Sequence, residues 1–448
     1  MSISTYYNKI IEYRDRHDAT LSTWANHLIV IFAFFVPVSL GGRQSTLFLI
    51  MLVFLLRGNY VGYVKEGLKD KLVQAFVIYF LVHVIWLIGT ENFEFAKKVV
   101  HQAKFLLYPL LFITLIDRKY IPRILGAFLL GMLISELWSY GIYFEILPPN
   151  LHDGRQGTPN DPTPVHHHVH YGFMLAITAT LLIQRLLVKN DQLWLKILLG
   201  LFFITATANI FINAGRTGYV MFVILVLALF LLTFRRRIIA GAMVSISIIT
   251  ISLLMAYYFS DTFRSRFDMS VNSVQSMYLH DNYRSSLGTR AFVVLSSKDM
   301  EVRTWVFGVG TGDQLDAVKE NIKTVAPEYL KMAKSLQHLH NEYLRSILQF
   351  GIIGLLAFLY IPYQLFRYPQ DDQDKKNMLS ILAVAILSFS YIEIVVHGLG
   401  ALLTVVLLSS LCFRNYCVDK AIYSKMNVVG YAKYGVVISL IELVSWYT

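Results

Sequence analysis

Apolar residues run through this chain in blocks of about twenty, separated by short and mostly basic connections. A helix rises about 1.5 Å per residue, so about twenty residues cross a hydrocarbon layer ~30 Å thick. The pattern predicts twelve such helices, over residues 22–40, 44–56, 72–90, 98–116, 121–142, 168–188, 192–212, 216–234, 238–259, 342–366, 378–395 and 398–414. The two longest interruptions are 143–167 and 260–341. The second is rich in Tyr, Arg, Ser and Asn, with apolar residues recurring from Ala291 to Val306. That periodicity predicts short amphipathic helices folded as a cap over one membrane face. The expected fold class is an all-α polytopic membrane protein. Its expected divisions are 1–259 with nine spans, a cap loop at 260–341, three more spans over 342–414, and a tail at 415–448. In the tail, the apolar run from Tyr434 to Tyr447 is interrupted by Glu442. It reads as an interfacial helix, with a thirteenth span as the alternative.

Composition agrees with the pattern. Of 448 residues, 56% are hydrophobic and 15% charged, against roughly 25% charged in an average soluble domain. The formal net charge of +11 would suit nucleic acid in a soluble protein. In a membrane protein it also follows from basic loops kept on the cytoplasmic side, so no nucleic-acid partner is expected. With the N-terminus in the cytoplasm, inside segments hold 23 Lys and Arg residues and the short outside loops hold five: Arg43, Lys97, Lys98, Arg155 and Arg216. This orientation sends both long loops to the outer side. Met1 to Ser22 is polar, so no cleavable signal peptide is expected. Cys412 and Cys417 are the two cysteines, too few for a disulfide framework or a four-thiolate zinc site.

Candidate chemistry gathers at the outer ends of the spans. His340 and Asn341 are followed by nine residues and then Gly351 and Gly354. Asn341 can cap the helix that begins there, Glu342 complements its positive end, and the glycines would let a neighbouring helix approach closely. A histidine with an ordinary pKa near 6.5 is largely neutral at pH 7 and can take a proton from an attacking hydroxyl. A packing or hydrogen-bonding histidine accounts for the same spacing. Arg216 opens the eighth span and Arg290 lies in the cap. Singly, each fits a snorkelling or surface arginine. Together, two guanidinium groups and an imidazole on one side would suit transfer from a diphosphate-linked donor, because arginine forks match phosphate oxygens and offset charge on a departing diphosphate.

The run HLHNEYLRSILQFGIIGLL at 338–356 resembles the hallmark of the O-antigen ligase family, membrane enzymes that join polysaccharide to lipopolysaccharide core. GRTG at 215–218, GTR at 288–290 and WVFGVG at 305–310 stand in the family's order around one large loop. The resemblance implies a membrane glycosyltransferase of GT-C-like architecture in the bacterial inner membrane, with about twelve spans and a periplasmic active site. It implies an undecaprenyl-diphosphate-linked glycan as donor and a sugar hydroxyl of lipid A-core as acceptor, without nucleotide sugar, ATP, metal or other cofactor. On that pattern His340 is the general base, Arg216 and Arg290 hold the donor diphosphate, and direct attack inverts the anomeric carbon. Polysaccharide polymerases and protein O-oligosaccharyltransferases share the donor and the loop signature and remain as alternatives.

Other signals carry less. The cluster at 166–170, with His166, His167, His168 and His170, could offer imidazoles to a metal. Adjacent side chains converge poorly, so a polar loop entering span six, lining the acceptor route, is the preferred reading. Asp153, Arg155 and Asp161 fit either. GVGTG at 308–312 lacks the strand, helix and sheet of a dinucleotide site and reads as a turn. His338 could contact the acceptor or be structural. Arg264, Arg266, Arg284, Arg303, Lys331 and Lys334 could attract phosphorylated core sugars or headgroups, or simply be solvated. Lys104, Glu136, Glu145 and His101 raise a transporter or flippase as a different class. Its usual paired broken helices and repeat symmetry are not visible in the sequence.

Overall fold

A computed structural model describes residues 3–58, 60–147, 157–396 and 398–417, with side chains from residue 17 onward. The tail from Val418 and the residues Asp153 and Arg155 lie outside the described residues. The chain is an all-α polytopic membrane protein. Among the described residues there is no strand, only an isolated bridge between Thr158 and Asp161. Among the described residues nine helices are long and apolar enough to cross a membrane, and two shorter apolar helices, Lys71–Ile85 and Leu399–Ser410, accompany them. The helix His168–Val188 is the most enclosed and Ile238–Phe259 the least, so the first lies at the heart of the bundle and the second on its rim.

The expected fourth span, 98–116, is not continuous. A helix Phe93–Ala103 passes through a 3-10 turn, Lys104–Leu107, into a second helix, Tyr108–Leu115. Pro109 stands at the start of that second helix. Proline has no N–H to give the preceding turn and its ring clashes with the carbonyl four residues back, so it kinks or breaks an α-helix in the turn before it. The third expected span stops at Ile85, and the turn after it is closed by Gly89 at φ +90°. The last two spans are shorter than expected at their facing ends, Gln373–Ile392 and Leu399–Ser410, which leaves residues 393–396 outside any helix at the capped end.

The segment after Phe259 folds into five helices: Asp261–His280, Ser286–Ser296, Val302–Phe307, Gln314–Val325 and Leu330–Lys334. Phe292, Val293, Val318, Ile322, Ala333, Leu336 and Leu339 form a core separate from that of the bundle, completed by Leu344 and Leu348 of the helix Glu342–Arg367. The amphipathic pattern read from 291–306 thus resolves into two helices, of which Ser286–Ser296 buries Phe292 and Val293.

The two glycines after His340 act differently from expectation. Gly351 has φ +65° and ψ −161° and breaks the helix Glu342–Arg367. A Cβ there would lie 2.1 Å from the Val306 carbonyl oxygen, so the close neighbour is the cap backbone and not another spanning helix. Gly354 faces its own helix, against Phe350 and Ser346. The break frees carbonyls, and GVGTG meets them: Val309 N–H donates to Leu348 O (2.9 Å) and Gly310 N–H to Gln349 O (3.0 Å). Thr311 N–H donates to Trp86 O at 3.1 Å and its hydroxyl to His83 O at 2.8 Å. Asp313 accepts from the Glu91 and Asn92 N–H groups at 2.8 and 2.9 Å. What read as a turn is the clasp that fixes the cap to two membrane helices. Gly351→Ala combines a Gly-only backbone conformation with overpacking, so it should destabilise the protein by about 2–4 kcal/mol. Thermal unfolding of the purified protein in detergent checks this, and an unchanged midpoint contradicts it.

Candidate active site

The site is built where the helix Glu342–Arg367 begins. Asn341 is its N-cap, accepting from Leu344 N–H at 2.9 Å, as the sequence implied. Glu342 does more than complement the helix end. It is fully buried, accepts from the Tyr79 hydroxyl at 2.5 Å, pairs with Arg345 at 3.4 Å and lies 3.5 Å from Val396 N–H. Asn341 Nδ2 donates to Tyr391 O at 3.3 Å and the Tyr343 hydroxyl to Leu387 O at 2.7 Å. Three successive residues therefore tie this helix start to the end of Gln373–Ile392 and the loop after it. His340, just before the cap, has φ +53°. That conformation is strained for a residue with a side chain, and such strain concentrates at functional sites.

Opposite His340 stands Glu393, the first residue beyond the helix Gln373–Ile392. Its Oε2 lies 2.9 Å from His340 Nδ1 and its Oε1 3.0 Å from His338 Nε2. Oε1 also accepts from Ile394 N–H at 3.1 Å. The two imidazole rings are 3.9 Å apart between centroids. Burial alone would raise the Glu393 pKa, but the hydrogen bonds from His338 and His340 more than offset it. The carboxyl is held well below the usual carboxylate range and is ionised.

Arg290, on the cap helix Ser286–Ser296, places Nη2 3.7 Å from Glu393 Oε2 and 3.5 Å from His340 Nδ1. One ring nitrogen cannot both donate to the carboxylate and accept from the guanidinium. The shorter contact, to an ionised acceptor, decides it: Nδ1 carries the hydrogen and donates to Glu393. Arg290 then acts as a charge beside the pair. Its Nε is buried without a hydrogen-bond partner among the described residues, so the guanidinium has unused donor capacity. Burial lowers its pKa and Glu393 works against this; arginine stays charged through either effect. With Nδ1 occupied, His340 Nε2 has no hydrogen-bond partner among the described residues, and the side chain is 28% exposed. A neutral imidazole in that tautomer offers its lone pair at Nε2.

Arg216 opens the helix Arg216–Thr233 at the same end of the bundle but does not touch this group. It lies within electrostatic range of Arg290 and Arg266. Glycines bring its helix against His168–Val188: a Cβ on Gly172 would sit 2.8 Å from Gly218 Cα, and one on Gly215 2.8 Å from His168 O. Asp161 locks the approach, with Oδ2 2.7 Å from His168 Nδ1 and Oδ1 accepting from Ala214 N–H at 3.3 Å. Burial would raise the Asp161 pKa, but the bond from His168 and its charge lower it overall. The structure thus gathers His340, His338 and Arg290 around Glu393 and sets Arg216 beside them.

The histidine cluster at 166–170 does not converge on one centre, although the His167 and His168 rings lie 3.9 Å apart. His166 is buried against Val36 O at 2.8 Å, its pKa pushed down to about 3 by burial and then by the Arg43 charge. His168 serves Asp161, and His170 packs against Phe389. The residues that motivated a transporter are likewise apart. Lys104 lies in the 3-10 turn near His101, Glu136 is buried within Ile121–Tyr143, and Glu145 follows that helix in a left-handed turn. Glu393 is the residue that sequence reasoning missed. A signal existed, since it is the lone charged residue between Lys376 and His397, and an ionisable group in an apolar run is a functional candidate by default.

Among the described residues, the group of His, Cys, Asp and Glu side chains whose donor atoms converge is His338, His340 and Glu393, all within 4.8 Å of one another. Compared with known families, residues 201–359 match the model described as O-antigen ligase. That stretch contains Arg216, Arg290, His338, His340 and Gly351, and Glu393 lies beyond it. No curated protein matches the chain.

Proposed function

We propose, from the match of residues 201–359 to the O-antigen ligase family model, that the chain carries out ligase- or polymerase-type glycan transfer and moves a glycan from an undecaprenyl-diphosphate donor to a sugar hydroxyl of lipid A-core. On this reading the capped end faces the periplasm of a bacterial inner membrane, the N-terminus is cytoplasmic and the polyprenyl tail stays in lipid. The observation that carries the chemistry is His340, whose Nδ1–H is engaged by Glu393 at 2.9 Å while Nε2 is left to accept a proton.

The reaction needs three things from the chain. As the acceptor oxygen bonds to the anomeric carbon, its proton passes to His340 Nε2, and Glu393 stabilises the imidazolium that forms. On the opposite face the bond from that carbon to the diphosphate oxygen breaks and its electron pair leaves with the diphosphate. Arg290 and Arg216 offset the growing negative charge. Attack from one face and departure from the other invert the anomeric centre. His338, on the second oxygen of Glu393, lies beside the acceptor approach.

Purified protein in proteoliposomes, given lipid-linked glycan with and without lipid A-core, tests the assignment. Product on lipid A-core supports the ligase, whereas chain growth on the lipid carrier alone would make it a polymerase. A narrower result concerns Asp161. Asp161→Ala releases the tether of the Arg216 segment and should raise the KM for donor about fivefold with little change in kcat, the equivalent of one hydrogen bond of ~1 kcal/mol. Unchanged donor KM would separate Asp161 from donor binding.

A further inference from the structure

His338 is left largely unexplained by proton transfer, since one imidazole suffices as base. It nevertheless points Nε2 at the same carboxylate that receives His340 Nδ1. Two imidazole nitrogens and a carboxylate make the donor set that first-row divalent ions prefer. Around a tetrahedral ion with bonds of roughly 2.0–2.1 Å, neighbouring ligand atoms lie about 3.3 Å apart. Here His340 Nδ1 lies 2.9 Å from one carboxylate oxygen of Glu393 and His338 Nε2 lies 3.0 Å from the other, and with one ligand atom taken from each residue the three fall within 4.8 Å of one another. The ligands come from both sides of the site, the residues before Glu342–Arg367 and the loop after Gln373–Ile392. Both histidines are partly exposed, which leaves a fourth position open to solvent.

We propose that His338, His340 and Glu393 hold a divalent transition-metal ion of the zinc class, and that its occupancy switches the transfer reaction off. The switch follows from tautomer chemistry and rests on the reading of His340 as the base. An ion on Nδ1 takes that nitrogen's lone pair and confines the imidazole hydrogen to Nε2. The nitrogen that must accept the acceptor's proton then carries one already. The ion also takes the carboxylate that would stabilise the imidazolium. Arg290, 3.5 Å from one ligand atom and 3.7 Å from another, repels a cation and competes for Glu393. It therefore sets the affinity, and an enzyme with Arg290 engaged on a donor diphosphate is the form the ion enters more readily.

Full-length protein in lipid nanodiscs, stripped with chelator, should bind one Zn2+ in a calorimetric titration with micromolar or tighter affinity. Co2+ should report the same site by visible absorption. His338→Gln and Glu393→Gln should each weaken binding at least tenfold, Arg290→Gln should strengthen it, and His280→Gln, an exposed cap histidine outside the cluster, should bind as the parent does. Zn2+ at saturating concentration should suppress transfer, chelator should restore it, and the concentration needed should rise at least tenfold in His338→Gln, each variant being compared with its own metal-free rate. Binding unaffected by His338→Gln and Glu393→Gln, or no cobalt spectrum in the parent protein, overturns the site. Tight binding at these residues without inhibition overturns the switch. Full activity of a His340 variant removes the base reading while leaving the binding result standing, so the two failures are distinguishable.

Discussion

His340→Asn should slow glycan transfer by about 10²- to 10⁴-fold, the range a positioned general base contributes. Asparagine is the informative replacement because it tolerates the left-handed backbone better than most residues. His340 sits at φ +53°, so alanine or glutamine would mix loss of the base with strain at the helix start. Asparagine removes the basic nitrogen and leaves the Asn341 cap intact. The loss belongs in the chemical step, so single-turnover rates in proteoliposomes should fall while the KM for donor stays near the parent's. The arginines give the contrast. Arg290→Gln should cost both terms, since a guanidinium on the diphosphate acts in the ground state and more strongly as charge develops. Single-turnover rates within threefold of the parent for His340→Asn would remove this residue from the reaction.

The fold was legible wherever a physical rule acts along the chain. Blocks of about twenty apolar residues declare spanning helices, and the helices His168–Val188, Leu193–Ile212 and Ile238–Phe259 lie within a residue of their expected bounds. Illegible features were those decided by backbone packing between distant segments. Nothing in the local pattern of Gly351 distinguishes a glycine that admits a neighbouring helix from one that breaks its own. The answer lies in Val306 O, 45 residues upstream, and in GVGTG, whose N–H groups take the freed carbonyls. The interruption at 104–107 was readable in principle from Pro109 and from the polar residues His101, Gln102 and Lys104 just before it, but the apolar run from Phe105 to Ile116 drew the expected span across it.

The site shows the same division. His340, Arg216 and Arg290 came from motif and order, and the structure places the first and third side by side. The carboxylate that gives the imidazole its direction comes from an element 53 residues farther on, at the end of a helix that the apolar pattern extended past it. Hydropathy counts Glu393 as a blemish in a span, whereas the chain ends the span at Ile392 and leaves the carboxylate in a loop held by Asn341 and Glu342. The histidine cluster errs in the opposite sense. Density along the chain suggests convergence of donor atoms at 166–170, yet those rings do not share one centre, whereas His338 and His340, two residues apart, meet on Glu393.

Glu393→Gln is the sharper test of how that site is poised, and kcat should fall about 10²-fold or more. The magnitude reflects loss of both the preferred tautomer and the charge that stabilises the imidazolium. An amide can turn its NH2 toward His340 Nδ1, which moves the imidazole hydrogen to Nε2 and leaves no acceptor for the hydroxyl proton. Removing the anion also frees Arg290, now 3.7 Å from it, for the donor diphosphate. The KM for donor should therefore stay level or fall while kcat collapses, a split that loss of folded protein does not produce. Glu393→Asp keeps the charge on a shorter arm and should recover part of kcat. If Glu393→Gln instead left kcat intact, or lowered kcat only in proportion to the folded fraction, the carboxylate would be a structural anchor for the backbone that follows Ile392 and the imidazole would owe its orientation to its backbone alone.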